Sequence, residues 1–478
     1  MFTDLKPYPD YHPRRGTWFS APPREWSVLP MRALFNEVRE AGWVDEPLLS
    51  VTINRGIVPQ SDLLADTSKK DSSNRDKSKY KMVLPGEIAY NKMRAWQGAI
   101  GSSMHRGIVS PAYVVLRPRG GLSAEYSHYL LRTPAFAKEA ERWSYGITSD
   151  MWSLRPEHFK LIECPIPPPE EQAAIVRYLA HANRRIDQAI AAKRRLIRLL
   201  EEQKQVIINQ AVTRGLDPNV PTRDPGVPYL GEVPFHWDVR RLGSVIREGP
   251  RNGISPQVSE GGDLESFSIA AVRDGVVDVR NTDIKIVSRA AVPRIETYGL
   301  RNGDVLVVRG NGNLRLVGRA GRVIGDMPGR IYPDLLMRIR LVEGVDPSFV
   351  VTAMNSSVGR AQIELAARTA VGTHKLSGSG VRRLQFGLPS LAEQRAIVRE
   401  LDAATEIHRS AISRSERELA LLVEFRTRLT ADAVTGQVDV RAIATTLPDV
   451  ELDELVDGSD EAEDEALDDE MFEDLEEA

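Results

Sequence analysis

Glu171-Gln172-Ala173-Ala174-Ile175-Val176-Arg177 is answered 222 positions later by Glu393-Gln394-Arg395-Ala396-Ile397-Val398-Arg399. Without a gap, and at the same offset, Ala433-Val434-Thr435 answers to Ala211-Val212-Thr213. A fixed offset held from Glu171 to Thr213 marks an internal duplication. Both copies read as helices. Pro167-Pro168-Pro169-Glu170-Glu171 and Pro389-Ser390-Leu391-Ala392-Glu393 set proline before the first turn and acids at its positive end. From there to Val212 and Val434 neither run contains Gly or Pro, which predicts two helices of roughly 40 residues, each about 60 Å long.

Apolar residues recur near seven-residue spacing, at Leu179, Ile186, Leu200 and Ile207 with Ile175 and Leu196, and again at Ile397, Leu401, Leu422 and Leu429. Lys193, His408 and Ser415 interrupt that seam, so the coiled-coil signature is imperfect. Two helices of equal length in one chain most simply pair antiparallel. The alternative is two surface helices, each packed on its own domain.

Upstream, Pro23-x-x-Trp26-x-Val28 matches Pro234-x-x-Trp237-x-Val239, and Gly86-Glu87-Ile88 resembles Gly303-Asp304-Val305. The stretches between hold short β-like runs (Tyr113 to Leu116, Val305 to Val308, Met337 to Leu341) separated by Gly, Pro, Asn and Asp turns. Helical pieces are expected at Met31 to Arg39, Ser123 to Ala140 and Pro347 to Arg368. The fold class is therefore α+β: two pseudo-repeated α+β domains joined by two long antiparallel helices forming a coiled-coil spacer. The expected divisions are an N-terminal extension (1–19), a first domain (20–166), a central helix (167–213), a linker (214–225), a second domain (226–388), a distal helix (389–435) and an acidic tail read as disordered (436–478).

A length of 478 residues suits about three folded units, and 42% hydrophobic with 27% charged residues is ordinary globular composition. Cys164 stands alone, and no His-Glu-x-x-His pattern exists, so structural zinc is not expected. Met1 to Pro13 has no apolar core of a signal peptide, and no run of about 18 apolar residues occurs, so a soluble, cytoplasmic protein is expected. The formal charge of −4 hides an asymmetry: Asp449 to Ala478 carries 17 Asp or Glu and no Lys or Arg. Residues 1–448 then hold 50 acids against 63 bases, a net charge of +13 that suits a polyanionic partner.

Candidate DNA contacts lie in corresponding places of the two halves. Lys69, Lys70, Arg75, Lys77 and Lys79 form a basic loop fit for phosphates. Asn91, Lys92, Arg94 and Gln97, around Trp96, are residue types that read purine edges. Arg309, Asn311, Asn313 and Arg315 are their counterparts, while Tyr145 and Thr148 correspond to Thr373, His374 and Lys375 ahead of each long helix. For any one of these residues solvated loop decoration is as good a reading; only repetition favours contact. Arg315 stands where a third Gly would complete Gly-x-Gly-x-x-Gly, which argues against a dinucleotide cradle. No phosphate-binding loop, Asn/Asp-Pro-Pro-Tyr/Phe motif or Gly-x-Ser-x-Gly elbow occurs, and Asp283-Ile284-Lys285 and Glu202-Gln203-Lys204 have a nuclease-like spacing common by chance. No catalytic, cofactor or metal residue is expected on this chain.

Together, the duplicated Pro167-to-Val176 and Pro389-to-Val398 segments, the paired long helices, Gly303-Asp304-Val305 and the Pro-x-x-Trp motifs resemble the specificity subunit of type I restriction-modification systems. The resemblance covers about 20–440; the long acidic tail lies outside it. It implies two target recognition domains, each reading one half of a bipartite double-stranded DNA site, and a helical spacer on which two modification subunits dock. It also implies restriction subunits, with S-adenosylmethionine, ATP and Mg2+ held by those partners. The helices would then act as a ruler, so a heptad added at Arg194 should lengthen the unread spacer alone. Two other readings stay open: a stand-alone architectural or regulatory DNA-binding protein, and an enzyme with an unrecognised site. The tail is expected either to compete with DNA for the basic domains or to contact a partner.

Overall fold

The computed structural model describes residues 5–449, apart from 14, 66–75, 149–150, 281 and 371–372. The chain forms two compact units: residues 1–194 with 417–478, and residues 195–416. The central helix, Pro169–Arg214, is 46 residues long and the distal helix, Leu391–Val434, is 44. Each contributes to both units.

In the first unit four antiparallel strands lie in the order Phe35–Val38, Tyr113–Pro118, Ile88–Asn91, Ile100–Ser102. Successive side chains point to opposite faces of a strand. Ile88, Tyr90, Val114 and Leu116 accordingly join a core with Leu130 and Phe136, while Ala89 and Val115 join another with Leu49, Val51 and Ile57. Both faces are covered, so Val114-Val115-Leu116 is continuously apolar. Two helices close one face, Ala124–Leu131 and Pro134–Arg142, capped by Ser123 and Thr133, whose hydroxyls accept from the Tyr126 and Phe136 amides.

The second unit repeats that order with Ile246–Asn252, Leu336–Leu341, Val305–Val308 and Ala320–Arg322, then adds Val276–Val277 and Val272–Arg273. The facial split recurs: Val305 and Val307 enter one core and Leu306 and Val308 another. Its helices are Pro347–Asn355, capped by Asp346, and Ser357–Ala366, capped by Ser356. The elements outside these sheets differ. Unit one carries the hairpin Leu49–Thr52/Gly56–Pro59, and unit two the sheet Ile284–Val287, Leu264–Phe267, Arg330–Ile331.

Three sequence expectations are corrected. Met31 to Arg39 is helical only over Met31–Leu34, because Phe35–Val38 pairs with Val115–Pro118 as a sheet edge. The pieces from Ser123 and from Pro347 each break into two helices, because Thr133 and Ser356 start a second cap in mid-run.

The repeated Glu-Gln explains why the helix starts match. Glu171 accepts from the Trp26 indole at 3.0 Å and from the Tyr8 hydroxyl; Glu393 accepts from the Trp237 indole at 3.0 Å and meets His236 Nε2 at 3.1 Å. Gln172 accepts from the Ser123 amide (2.8 Å) and donates to the Pro167 carbonyl (2.9 Å). Gln394 does the same with Asp346 (2.7 Å) and Pro389 (2.8 Å). Each Gln thus ties a long helix to the cap of a domain helix. Gly86 and Gly303 turn with φ of 84° and 85°, and the acid after each braces its strand. Glu87 takes the Leu84 amide and the Arg117 Nε; Asp304 takes the Arg301 amide and the Arg340 guanidinium.

In the first unit the long helices run antiparallel: Asp187 meets Arg426 at 2.8 Å and Lys193 meets Glu418 at 2.5 Å. Ile186, Ile190 and Leu429 share one core there. In the second unit Ala211 and Val212 share a core with Ile397 and Leu401. Lys193, an interruption of the apolar seam, is accommodated by that acid from the facing helix. The N-terminal segment, set apart by sequence as an extension, packs into the first unit. Tyr8 and Trp26 join the main core, Trp18 donates to the Glu163 carbonyl at 2.8 Å, and Lys6 bridges Asp439. The expected tail likewise begins later than 436, because Val440 and Ala444, around the short helix Arg441–Ala444, are buried in the same core.

Candidate nucleic-acid interface

In the first unit the strand Ile88–Asn91 runs out into the loop that carries Lys92, Arg94 and Gln97. Asn91 Oδ1 accepts from the Met93 amide at 3.0 Å, so this oxygen shapes its own turn. A 3-10 turn, Ala95–Gln97, ends at Gly98 with φ 101°, a left-handed position that glycine tolerates. Arg94 Nη1 reaches Gln97 Oε1 at 3.4 Å, and Trp96 Nε1 donates to the Met93 carbonyl at 2.7 Å. The second candidate loop comes alongside. Leu154 donates its amide to the Lys92 carbonyl at 2.8 Å, the Trp96 and Trp152 rings meet edge-on at 5.6 Å, and Tyr145 bridges Ser153. Tyr145 and Thr148 are exposed, and Ile147 between them is 92% exposed.

The second unit builds the same arrangement in regular form. Gly310–Asn311 pairs with His374–Lys375, and Thr373–Lys375 pairs in turn with Arg368–Ala370. Leu376 donates to the Arg309 carbonyl at 2.8 Å, as Leu154 does to that of Lys92. Asn311 Oδ1 accepts from the Asn313 amide (2.8 Å) and Asn313 Oδ1 from that of Arg315 (2.9 Å). The glycine-rich run is thus a short strand and a 3-10 turn, Leu314–Leu316, with no long helix behind it to cradle a phosphate.

Within each unit, then, the candidates form one face. Arg309, Asn311, Asn313 and Arg315 join Thr373, His374 and Lys375; Asn91, Lys92, Arg94 and Gln97 join Tyr145 and Thr148. Lys77 and Lys79 precede the strand Lys81–Val83, whose first residue stands within electrostatic reach of Lys92. Burial first, then Lys92, lowers the pKa of Lys81, which donates to the Pro111 and Tyr113 carbonyls. Lys69, Lys70 and Arg75 lie outside the described residues. The three asparagines turn their oxygens into local turns, which leaves their amide donors for a ligand.

Sequence reasoning missed two arginines that hold these faces. Arg132 donates to the Ile100, Ile53 and Asn54 carbonyls and has no carboxylate among these partners; burial lowers its pKa to about 10. It fastens the turn Thr52–Gly56, whose Ile53 borders Gly98 of the candidate loop. Arg360, also lowered by burial, donates to the Leu314 and Val317 carbonyls on either side of the 3-10 turn. Nothing local marks either residue. Among the described residues no group of three or more His, Cys, Asp or Glu is placed to hold a metal ion, and no helix is long and apolar enough to cross a membrane. Asp283-Ile284-Lys285 leads into a sheet-edge strand, and Glu202-Gln203-Lys204 lies on the central helix.

No protein-family profile matches the chain. It is 24% identical over 391 residues to the type I restriction enzyme EcoKI specificity subunit of Escherichia coli (strain K12), covering 76% of this chain and 82% of that protein. It is 24% identical over 329 residues to the StySPI specificity subunit of Salmonella potsdam, covering 67% and 68%. Among solved structures, a chain described under "Structural basis underlying complex assembly and conformational transition of the type I R-M system" shares the fold. Its TM-score is 0.60 at 16% identity, over 87% of this chain and 99% of that one. In sequence the chain is similar to type I restriction enzyme specificity subunits, and in fold to a chain from a type I R-M system.

Proposed function

We propose that this chain is the DNA sequence-recognition subunit of a type I restriction-modification complex, with one unit reading each half of a bipartite target. The observation that carries the reading is the duplicated face: in each unit a loop leaving the third sheet strand is hydrogen-bonded to a returning hairpin through the same Leu-to-carbonyl contact. Lys92, Arg94, Arg309, Arg315 and Lys375 supply salt-dependent attraction to phosphates. Arg94 and Arg315, beside Gln97 and Asn313, are of the types that discriminate base edges in a major groove, each good pair contributing about 1–3 kcal/mol.

On this reading the chain does no covalent chemistry. Two modification subunits holding S-adenosylmethionine, and restriction subunits using ATP and Mg2+, supply methylation of adenine and cleavage, and the long helices carry their docking sites. The complex acts in the cytoplasm on double-stranded DNA. One heptad added to each long helix is expected to lengthen the unread spacer and leave both half-sites unchanged.

The test is co-expression with the modification subunit of a type I system followed by methylome sequencing. A bipartite methylated motif that disappears when this chain is omitted is expected. A chain that binds one site tightly and specifically by itself would point to a stand-alone regulator, and methyl transfer or cleavage by the purified chain would point to an enzyme; either outcome overturns the proposal.

A further inference from the structure

The Asp449 carboxylate is paired with the Arg177 guanidinium, and the Pro448 carbonyl lies 3.0 Å from His181 Nε2. Both partners sit on the face of the central helix opposite Ile175, Leu179, Ala182 and Ile186, which are buried in the first unit's core. At about 100° per residue, Arg177, His181, Arg184 and Arg185 fall within one arc of roughly 100°. Arg184 and Arg185 are exposed. That arc holds three arginines, Arg177, Arg184 and Arg185; the single acid from Gln172 to Arg194, Asp187, lies off the arc and meets Arg426 at 2.8 Å, and Lys193, also off it, meets Glu418. The face is therefore a cationic stripe.

The remaining sequence complements that stripe in charge. Val450 to Ala478 contains 16 Asp or Glu, no Lys or Arg, and begins with Glu451, Asp453, Glu454 and Asp457. Arg177 to Arg185 spans only about 12 Å of helix axis, and 29 residues can extend up to about 100 Å. We propose that residues 450–478 dock along this stripe of the central helix, continuing the contact that Pro448 and Asp449 begin. Tethering at Asp449 holds the acids at high effective concentration beside the arginines, so individually weak, salt-screened pairs suffice. A free polyanion or an acidic partner would have to displace a segment already attached at the stripe. The inference is independent of the DNA-reading role.

Limited proteolysis of the full chain with an endopeptidase that cuts before aspartate, followed by mass spectrometry at Asp453 and Asp457, tests it. At about 0.1 M salt, Arg177→Glu/Arg184→Glu/Arg185→Glu should be cut about tenfold faster than the wild type, and the difference should vanish near 1 M salt. The same three positions changed to lysine should keep the protection, which separates charge from packing. Equal cleavage of the wild type and the glutamate variant overturns the proposal. The stripe is then a surface for another polyanion if that variant also loses affinity for random-sequence duplex DNA.

Discussion

Replacing Glu171 by alanine is expected to destabilise the first unit more than replacing Glu393 destabilises the second, although the two acids occupy equivalent positions. Glu171 is 5% exposed and accepts from two buried donors, the indole of Trp26 (3% exposed) and the hydroxyl of Tyr8 (5%). Burial, then the hydrogen bond to Glu171, raises the Tyr8 pKa far above its ordinary value, so this hydroxyl stays a donor. Removing the acid leaves both donors unsatisfied at about 1–3 kcal/mol each, so the loss should be about 2–5 kcal/mol after relief of the buried charge. The Glu393 side chain is 29% exposed, and its second partner, His236, is 52% exposed and can turn to water. Only the Trp237 indole is orphaned there, for about 1–2 kcal/mol. Hydrogen exchange followed by mass spectrometry reads the units separately. Protection of Ile88–Asn91 should fall about 30-fold or more in Glu171→Ala, each 1.4 kcal/mol being tenfold. That of Val305–Val308 should fall about tenfold in Glu393→Ala. A loss in Glu171→Ala no larger than that in Glu393→Ala refutes the reasoning, because buried donor count then does not set the cost.

In the second unit, Asp304→Asn should cost about 1–3 kcal/mol, because Arg340, 9% exposed, loses the charge that it binds through two nitrogens but keeps Glu248 at 2.8 Å; urea unfolding of that unit measures it. His128 has its pKa lowered to about 3 by burial, then by Arg132. A depressed histidine contributes stability that is complete above its unfolded value of about 6.5 and is lost as the pH falls from there toward 3. Acidification from about pH 7 to 5 should thus weaken the first unit by up to about 2 kcal/mol, and His128→Asn should remove that slope in pH-dependent denaturation. On a duplex carrying the methylome-defined target, Arg94→Ala and Arg315→Ala should each relax a different half-site by about 1–3 kcal/mol. Uniform weakening across unrelated sequences in a competition assay would show phosphate contact instead.

The local geometry of the candidate loops was legible because it rests on short-range rules. The order of motifs, repeated in each half, pointed to the corresponding loops, and the turns made by Asn91, Asn311 and Asn313 follow from side chains bonding amides two residues ahead. The pairing of Gly310–Asn311 with His374–Lys375 was not legible, because strands more than sixty positions apart carry no local signal of their register. Arg132 and Arg360 escaped for a related reason. An arginine whose partners are main-chain carbonyls looks, in sequence, like any solvated base.

The amino-acid order alone determined the duplication, the two long helices and the basic body with its acidic end, since proline and glycine placement, periodicity and charge act within a few residues or are simple sums. Tertiary structure alone decided which donors Glu171 and Glu393 satisfy, that the segment around Tyr8 and Trp18 belongs to the first unit's core, and that Pro448 and Asp449 meet His181 and Arg177 on the central helix. Those outcomes depend on burial and on contacts between distant positions, which only the folded backbone brings within bonding distance.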